Sequence, residues 1–237
     1  MPNNNFSSGE LPLMALKNVA LFPRIAIPLV VQRSKSITAL EQALAVNNGQ
    51  MVFVAQRNLH DDTTPKDLFK IGTVGRNITT NRLTDGSFKI DAEGLRRVKI
   101  SEFTQEEPFF KAKVELVELK YQEGVESEAL TRTVIEQFKK VTEAKIFSSV
   151  LPSFLFTLGQ LKEPEQLINL IAVNLNLDLL DQQYILETAN LNDALKRINF
   201  FLTRELEILE AEKKVAKETK KQLGKMQKEI FLREQLK

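Results

Sequence analysis

Residues 191–237, LNDALKRINFFLTRELEILEAEKKVAKETKKQLGKMQKEIFLREQLK, decide how the chain is organised. This stretch has no proline and a single glycine, Gly224, which is the composition of one long helix. Asn190 is the predicted N-cap, because its side-chain oxygen can accept from free N–H groups of the first turn. At about 1.5 Å per residue such a helix spans roughly 65 to 70 Å, more than the width of a compact domain of this size. We therefore expect only part of it to be buried.

The apolar pattern divides this helix into two halves. The first half carries a stripe at helical spacing that predicts a face packed in a helical bundle, formed by Leu195, Ile198, Leu202, Leu206 and Leu209. Lys213 and Lys220 interrupt the same face, so the second half is predicted to project as a stalk. Apolar side chains then return as a candidate inter-subunit face, formed by Leu223, Met226, Ile230 and Phe231.

Upstream of the helix, strand patterns give way to helical ones. Residues 11–120 are predicted to form a β-rich domain, whose clearest signal is a hairpin with the turn Thr84-Asp85-Gly86, where glycine accepts positive φ. Residues 125–190 have apolar side chains at helical spacing, which predicts a helical bundle. Residues 1–10 are polar and are predicted to be a disordered tail. The fold class expected from these patterns is α+β.

Composition excludes several classes of protein. The 33 basic and 31 acidic residues leave a net charge of only +2, so no global field favours nucleic acid or acidic lipid. Without cysteine the chain has neither a disulfide framework nor thiolate chemistry. The N-terminus matches no secretory signal and no apolar run is long enough to span a bilayer, so we expect no membrane partner and a cytoplasmic location.

The sequence predicts no catalytic, cofactor-binding or metal site. No glycine begins a phosphate-binding loop, and one histidine, His60, cannot form a zinc site. His60 lies beside Asp61 and Asp62 in a polar loop, where a solvated turn explains all three. Lysines of the last helix could follow a phosphate backbone, yet Glu205–Lys237 carries nine basic and seven acidic residues, as a solvated stalk does. DNA binding is the weaker alternative.

An apolar loop is the candidate peptide-binding site. It contains Leu21, Phe22, Pro23, Ile25 and Pro28, and Leu83 lies near the tip of the predicted hairpin. Two interpretations carry about equal weight: the loop is part of a core strand, or it forms with Leu83 an exposed patch for extended or unfolded polypeptide. Pro28, in the strand-like run after the loop, suits a strand end or sheet edge, because proline cannot donate to a sheet ladder.

Several separated motifs resemble one known family. The segments LPLMALKNVALFPRIAIPLVVQRSKSITALEQAL, FKIGTVGRN, LTDGSFKIDAEGLRRVKI and VAKETKKQLGKMQKEIFLREQLK occur in the order found in the N-terminal region of ATP-dependent Lon proteases. The resemblance runs from Leu11 to Lys237 and implies a PUA-like, pseudobarrel-like β domain, a helical bundle and a long projecting helix. Gly224 departs from the family pattern, which usually has a helix former there, and costs about 1 kcal/mol of helix propensity.

The resemblance also implies a function. In that family this region recognises unfolded or damaged proteins and helps organise a hexamer, while ATP and magnesium bind to a following AAA+ module and a serine-lysine peptidase domain hydrolyses the substrate. The chain stops within the family motif at Leu236-Lys237, so we expect a fragment that lacks both modules and has no activity or cofactor of its own. The alternative is a standalone peptide-binding adaptor that dimerises through a coiled coil of its last helix.

Overall fold

The structure is a computed structural model that describes residues 8–121, 123–145, 163–175 and 177–235, with side chains from residue 9 to residue 227. Within these ranges the strands are β1 Ser8–Leu16, β2 Ala26–Val31, β3 Gln50–Ala55, β4 Ile71–Arg82, β5 Phe88–Gln105 and β6 Phe110–Leu116. The helices are α1 Ser34–Val46, α2 Val125–Lys145, α3 Pro164–Asn174, α4 Leu179–Glu187 and α5 Leu191–Gln235, with one 3₁₀ turn at Pro65–Asp67.

Five strands, one of which is the long strand β5, close into a small barrel. The hydrogen-bonded order is β2-β5-β4-β3-β1-β6, and β6 pairs again with the C-terminal half of β5. The ring therefore runs β5-β4-β3-β1-β6 and returns to β5, while β2 adds to the N-terminal half of β5 as an edge strand. All neighbours in this ring are antiparallel except β1 and β3. The pseudobarrel predicted from the resemblance is confirmed.

Strands β1 and β3 are buried on both faces, because two apolar clusters lie on either side of them. Along β1, Leu13 and Ala15 belong to one cluster, whereas Met14 and Leu16 belong to the other, which α1 covers with Ala39, Leu40 and Ala43. Strand β3 alternates in the same way between Val52 and Phe53. A short, continuously apolar strand is the pattern expected when both faces are covered.

The hairpin formed by β4 and β5 has the predicted turn. Gly86 has a φ of +85°, a left-handed conformation that costs glycine little, and its N–H donates to Leu83 O at 3.1 Å. Asp85 Oδ1 accepts from the Ser87 N–H at 3.0 Å, which fixes the second side of the turn. Strand β5 extends to Gln105, because its last residues pair with β6.

The second domain is a helical bundle around the first half of α5. The buried stripe of α5 is the predicted one: Leu195, Ile198 and Leu202 are fully buried, and Leu206 and Leu209 are partly buried against the same cluster. From Glu210 to Gln227 every side chain is exposed, as expected for a stalk. Asn190 caps α5, because its Oδ1 accepts from the Asn192 N–H at 2.8 Å. Pro164 is the first residue of α3.

The N-terminal boundary differs from the prediction. Residues 1–7 lie outside the described part of the chain, but Ser8, Gly9 and Glu10 form the start of β1 instead of a disordered tail. They pair with Glu115, Val114 and Lys113 of β6, and Lys111 Nζ contacts Glu10 Oε2 at 3.0 Å. This partner strand is about a hundred residues away in sequence, so the local polarity of the segment gave no sign of it.

Candidate functional site: apolar surface of the barrel

The apolar loop between β1 and β2 is buried between the two domains. Phe22 is 0% exposed and belongs to the core of the helical bundle, whereas Leu21 belongs to the cluster under α1. Pro23 is buried as well. The interpretation of Leu21, Phe22 and Pro23 as an exposed tip is therefore wrong. The alternative, a core strand, is right about their burial, but the three residues lie in a loop before β2. Physically, the loop crosses the junction and its side chains fill the space between barrel and bundle.

Polar contacts fix this loop in the junction. Asn169 Nδ2 on α3 donates to Pro23 O at 3.1 Å, and the Ala20 N–H donates to Gln182 Oε1 at 3.0 Å. Gln183 Nε2 on α4 donates to Ile71 O of the barrel at 2.9 Å. Each contact satisfies a backbone group that would otherwise be buried without a partner. Barrel and bundle thus share a junction with specific hydrogen bonds as well as apolar contacts.

Of the remaining predicted peptide-binding residues, Ile25 packs against the apolar clusters of both bundle and barrel, whereas Pro28 and Leu83 lie on the barrel outside this junction. Ile25 is half-buried, Pro28 is exposed on the edge strand β2, and Leu83 is 41% exposed at the hairpin. Pro28 is paired with Asp91, three residues along β5 from Phe88, which pairs with Arg82 next to Leu83. At about 3.4 Å per residue the two positions are separated by roughly 10 Å along the sheet. They share one end of the barrel sheet.

A second group of exposed apolar side chains was missed by sequence analysis. Strand β4 has a register shift between Asn77, which pairs with Ala92, and Thr79, which pairs with Asp91, so Ile78 is the extra residue of a β-bulge. Its side chain is 55% exposed. The signal in the sequence is a lone isoleucine among polar residues, but alternation alone does not reveal which residue of a strand bulges.

The C-terminal end of helix α1, which carries two more exposed apolar residues, lies beside β4. Asn77 donates to Gly49 O from its N–H at 3.2 Å and from Nδ2 at 3.1 Å, which joins β4 to the end of α1. Leu44 Cδ2 lies 3.7 Å, and the Asn77 backbone 3.8 Å, from the point where a Cβ on Gly49 would be. Leu44 and Val46 are both exposed. We refer to Leu44, Val46 and Ile78 as the bulge patch.

The candidate inter-subunit face lies on the exposed part of α5. Leu223 is exposed and Met226 is 63% exposed, and no ion pair links this part of the helix to the bundle among the described residues. The side chains of Ile230 and Phe231 lie outside the described residues. The face is thus available in its described half, while its role in association stays a prediction.

Charged groups of the barrel hold loops in place. Arg33 donates from Nη1 to Gln56 Oε1 at 2.8 Å, and its partial burial lowers the pKa of its guanidinium. A hydrogen bond from Lys17 lowers the pKa of the Asp61 carboxyl. His60 is exposed in the same loop.

Among the described residues no group of three or more His, Cys, Asp or Glu side chains could hold a metal ion. Helices long and apolar enough to cross a bilayer are likewise absent from the described ranges.

Comparison with known proteins agrees with this architecture. The profile of the ATP-dependent protease La (LON) substrate-binding domain matches residues 10–204. Among curated relatives, the Lon protease of Dictyoglomus thermophilum is 38% identical over 231 residues, and that of Escherichia coli strain K12 is 34% identical over 229. Both alignments cover 96% of this chain, which spans only 28% and 29% of those relatives.

Solved structures share the fold. The N-terminal domain of the Mycobacterium avium complex Lon protease superposes with a TM-score of 0.65 at 18% identity, over 82% of this chain and 98% of that one. A Lon N-terminal domain protein from Xanthomonas campestris gives a TM-score of 0.52 at 15% identity, over 80% and 96% of the two chains. Both matches show the fold alone, and they cover about four-fifths of this chain.

The fold defines this chain as a module of two domains, a β-barrel and a helical bundle. By the match over residues 10–204, the chain belongs to the LON substrate-binding domain family.

Proposed function

We propose that the chain binds unfolded or damaged polypeptide for an ATP-dependent serine protease of the Lon type. The observation that carries this proposal is the family match over most of the two domains. Hydrolysis would belong to a peptidase domain outside this chain, and ATP and magnesium to an AAA+ module. The chain itself would hold the client close to those modules and raise its effective concentration there.

The exposed apolar side chains of the barrel support the proposal. Unfolded polypeptide exposes apolar side chains, and neighbouring exposed apolar residues on a protein surface mark sites that bind other proteins. The bulge patch and Leu83 supply such residues, and the buried loop at Phe22 does not. Pro28 is less suited to pairing with a client strand, because proline on an edge strand lacks an N–H donor.

The client-binding experiment uses a reduced, alkylated unfolded protein and the isolated chain. Ile78→Ser is expected to raise the Kd about tenfold, because a buried isoleucine contributes roughly 1.5–3 kcal/mol and 1.4 kcal/mol is a factor of ten. Fluorescence anisotropy measures the change. Val125→Ser is the matched control, since Val125 is 86% exposed at the start of α2, and it should leave the Kd unchanged.

Two results would count against this proposal. If the unaltered chain binds no unfolded protein, the function itself is wrong. If Ile78→Ser keeps its circular dichroism spectrum and binds as tightly as the unaltered chain, the bulge patch is not the contact surface.

We further propose weak self-association through the exposed half of α5. Leu223→Lys combined with Met226→Lys is expected to leave a monomer, because two buried lysines in a helix seam lose apolar contact and repel each other. Sedimentation equilibrium over a range of concentrations measures it. Glu218→Lys makes the same change in net charge on the other side of this helix and should behave as the unaltered chain. A strictly monomeric unaltered chain at high concentration contradicts the proposal.

A further inference from the structure

A polar cavity of about 280 Å³ lies at the junction of barrel and bundle. The buried loop, strand β5, the segment after β6 and the first two turns of α3 all contribute to its wall. The charged residues that line it are Arg24, Arg96, Arg97, Glu118 and Glu165. Its volume is near the lower limit of small-molecule sites, so it suits one or two residues of a peptide better than an extended segment.

Arg97 is a buried cation that is incompletely paired. Its side chain is 3% exposed, yet the nearest carboxylate oxygen, Glu165 Oε1, lies 3.7 Å from Nη2. A charge-assisted contact is normally about 2.7–2.9 Å long. Nη1 donates to Thr188 O at 2.9 Å, and Nε has no hydrogen-bond partner among the described residues. Burial accordingly lowers the pKa of this guanidinium, while the charge of Glu165 opposes that change.

Two further groups of the lining lack partners in the described part of the chain. Asn169 is 1% exposed and uses Nδ2 for Pro23 O, whereas its Oδ1 accepts no hydrogen bond. Arg96 is half-buried and has no carboxylate within 4.0 Å. Arg24, in contrast, is paired with Glu163 at 2.7 Å. The cavity is therefore lined by two arginines without a close carboxylate and by one amide oxygen without a donor.

The start of α3 adds to this donor set. Glu163, the residue before the helix, makes no side-chain capping bond, although Glu165 places a carboxylate in the first turn. The positive end of a helix dipole favours an anion at that place. Gln166 and Asn169 project from α3 into the same lining.

We propose that this cavity binds the C-terminal carboxylate of a polypeptide client. The carboxylate would accept from Arg96 and Arg97, and the N–H of the last peptide group would donate to Asn169 Oδ1. A free C-terminus places these acceptors and this donor within one residue of each other. Glu118 and Glu165 oppose a dianion such as phosphate, which would meet two carboxylates, more than they oppose a single carboxylate. The inference rests on the proposed function, because it names the part of the client that the cavity binds.

The test compares two short, apolar-rich peptides of one sequence, labelled at the N-terminus, one with a free carboxylate and one amidated. Fluorescence anisotropy of each with the full chain should show about tenfold tighter binding of the free acid, as expected for one hydrogen bond to a charged group. In Arg96→Gln the ratio of the two Kd values should fall close to one. Lys99→Gln removes the same charge from an exposed position on β5 outside the cavity and should preserve the ratio.

Thermal melting of Arg96→Gln confirms that the fold is intact. If both peptides bind equally tightly to the unaltered chain, the carboxylate does not contribute to binding and this inference is wrong. The proposal that the chain binds clients is then unaffected. A ratio that survives in Arg96→Gln places the carboxylate elsewhere and overturns the inference too. Excess inorganic phosphate is the third arm: if phosphate raises the melting temperature while the two peptides bind alike, the cavity is a small-anion site only.

Discussion

Gly94→Ala is expected to lower the free energy of unfolding by about 3–5 kcal/mol. A Cβ at this position would lie 2.1 Å from Phe22 O and 2.8 Å from Phe22 C. These are main-chain atoms, which cannot rotate away as the end of a side chain can. The same glycine accepts from the Arg24 N–H at 2.7 Å and donates to Ile25 O at 2.8 Å, so the clash can be relieved only by separating the loop from β5.

Urea denaturation followed by circular dichroism measures this effect. Gly124→Ala is the matched control, because no atom lies within 4 Å of the Cβ that it would add. It should change the free energy of unfolding by no more than about 0.5 kcal/mol. Equal stability of the two variants would show that the loop does not approach β5 as closely as described. The expected loss is a large fraction of the roughly 5–15 kcal/mol that stabilises a typical domain.

Phe22→Ala is expected to cost about 3–5 kcal/mol of unfolding free energy, the range for removing a buried aromatic ring. Phe22 is fully buried among residues of the helical bundle although it belongs to the barrel chain segment. Alanine would leave a cavity at the junction that cannot collapse easily, because hydrogen bonds at Ala20 and Pro23 hold the loop on both sides. Urea denaturation followed by circular dichroism measures the loss of unfolding free energy, since the chain has no tryptophan whose fluorescence could report unfolding.

Leu83→Ala is the control for this prediction, because Leu83 is partly exposed at the hairpin and its truncation should cost less than about 1 kcal/mol. The pair also separates the two interpretations of the apolar loop. A Phe22→Ala chain with unchanged stability and reduced binding of unfolded polypeptide would mean that Phe22 faces clients. A destabilised chain supports its place in the junction.

Periodicity and turn chemistry predicted the elements whose cause is local. The β4–β5 hairpin follows from Asp85-Gly86, and the start of α5 from Asn190, since each turn or cap is determined by neighbouring residues. The division of α5 into a buried and an exposed half follows from its own stripe of leucines, which ends at Leu209. To predict these elements it was enough to assume that the surface against which they pack is apolar.

Features that depend on distant partners were missed or left open. Burial of Phe22 depends on helices more than a hundred residues later, and Pro23 O is bound by Asn169. The start of β1 at Ser8 depends on β6 in the same way. Exposure of Ile78 depends on a register shift, which is a property of two strands together. A loop rich in Leu, Phe and Pro has the same sequence pattern whether it is buried in a core or exposed at a binding tip. Only its neighbours in the fold distinguish the two cases.

The backbone bridge between Lys120 and Asn190 gives the stalk a fixed base. Lys120 donates to Ala189 O at 2.9 Å and accepts from the Leu191 N–H at 3.0 Å, so the end of the barrel is joined to the residue that begins α5. The 45 residues of α5 form a lever about 67 Å long at 1.5 Å per residue. For a straight lever of that length, a tilt of about 5° at the bridge moves the far end by about 6 Å. Because α5 is packed in the bundle as far as Leu209, such a tilt would have to move the bundle with it, and the displacement would be largest at the exposed end of the helix.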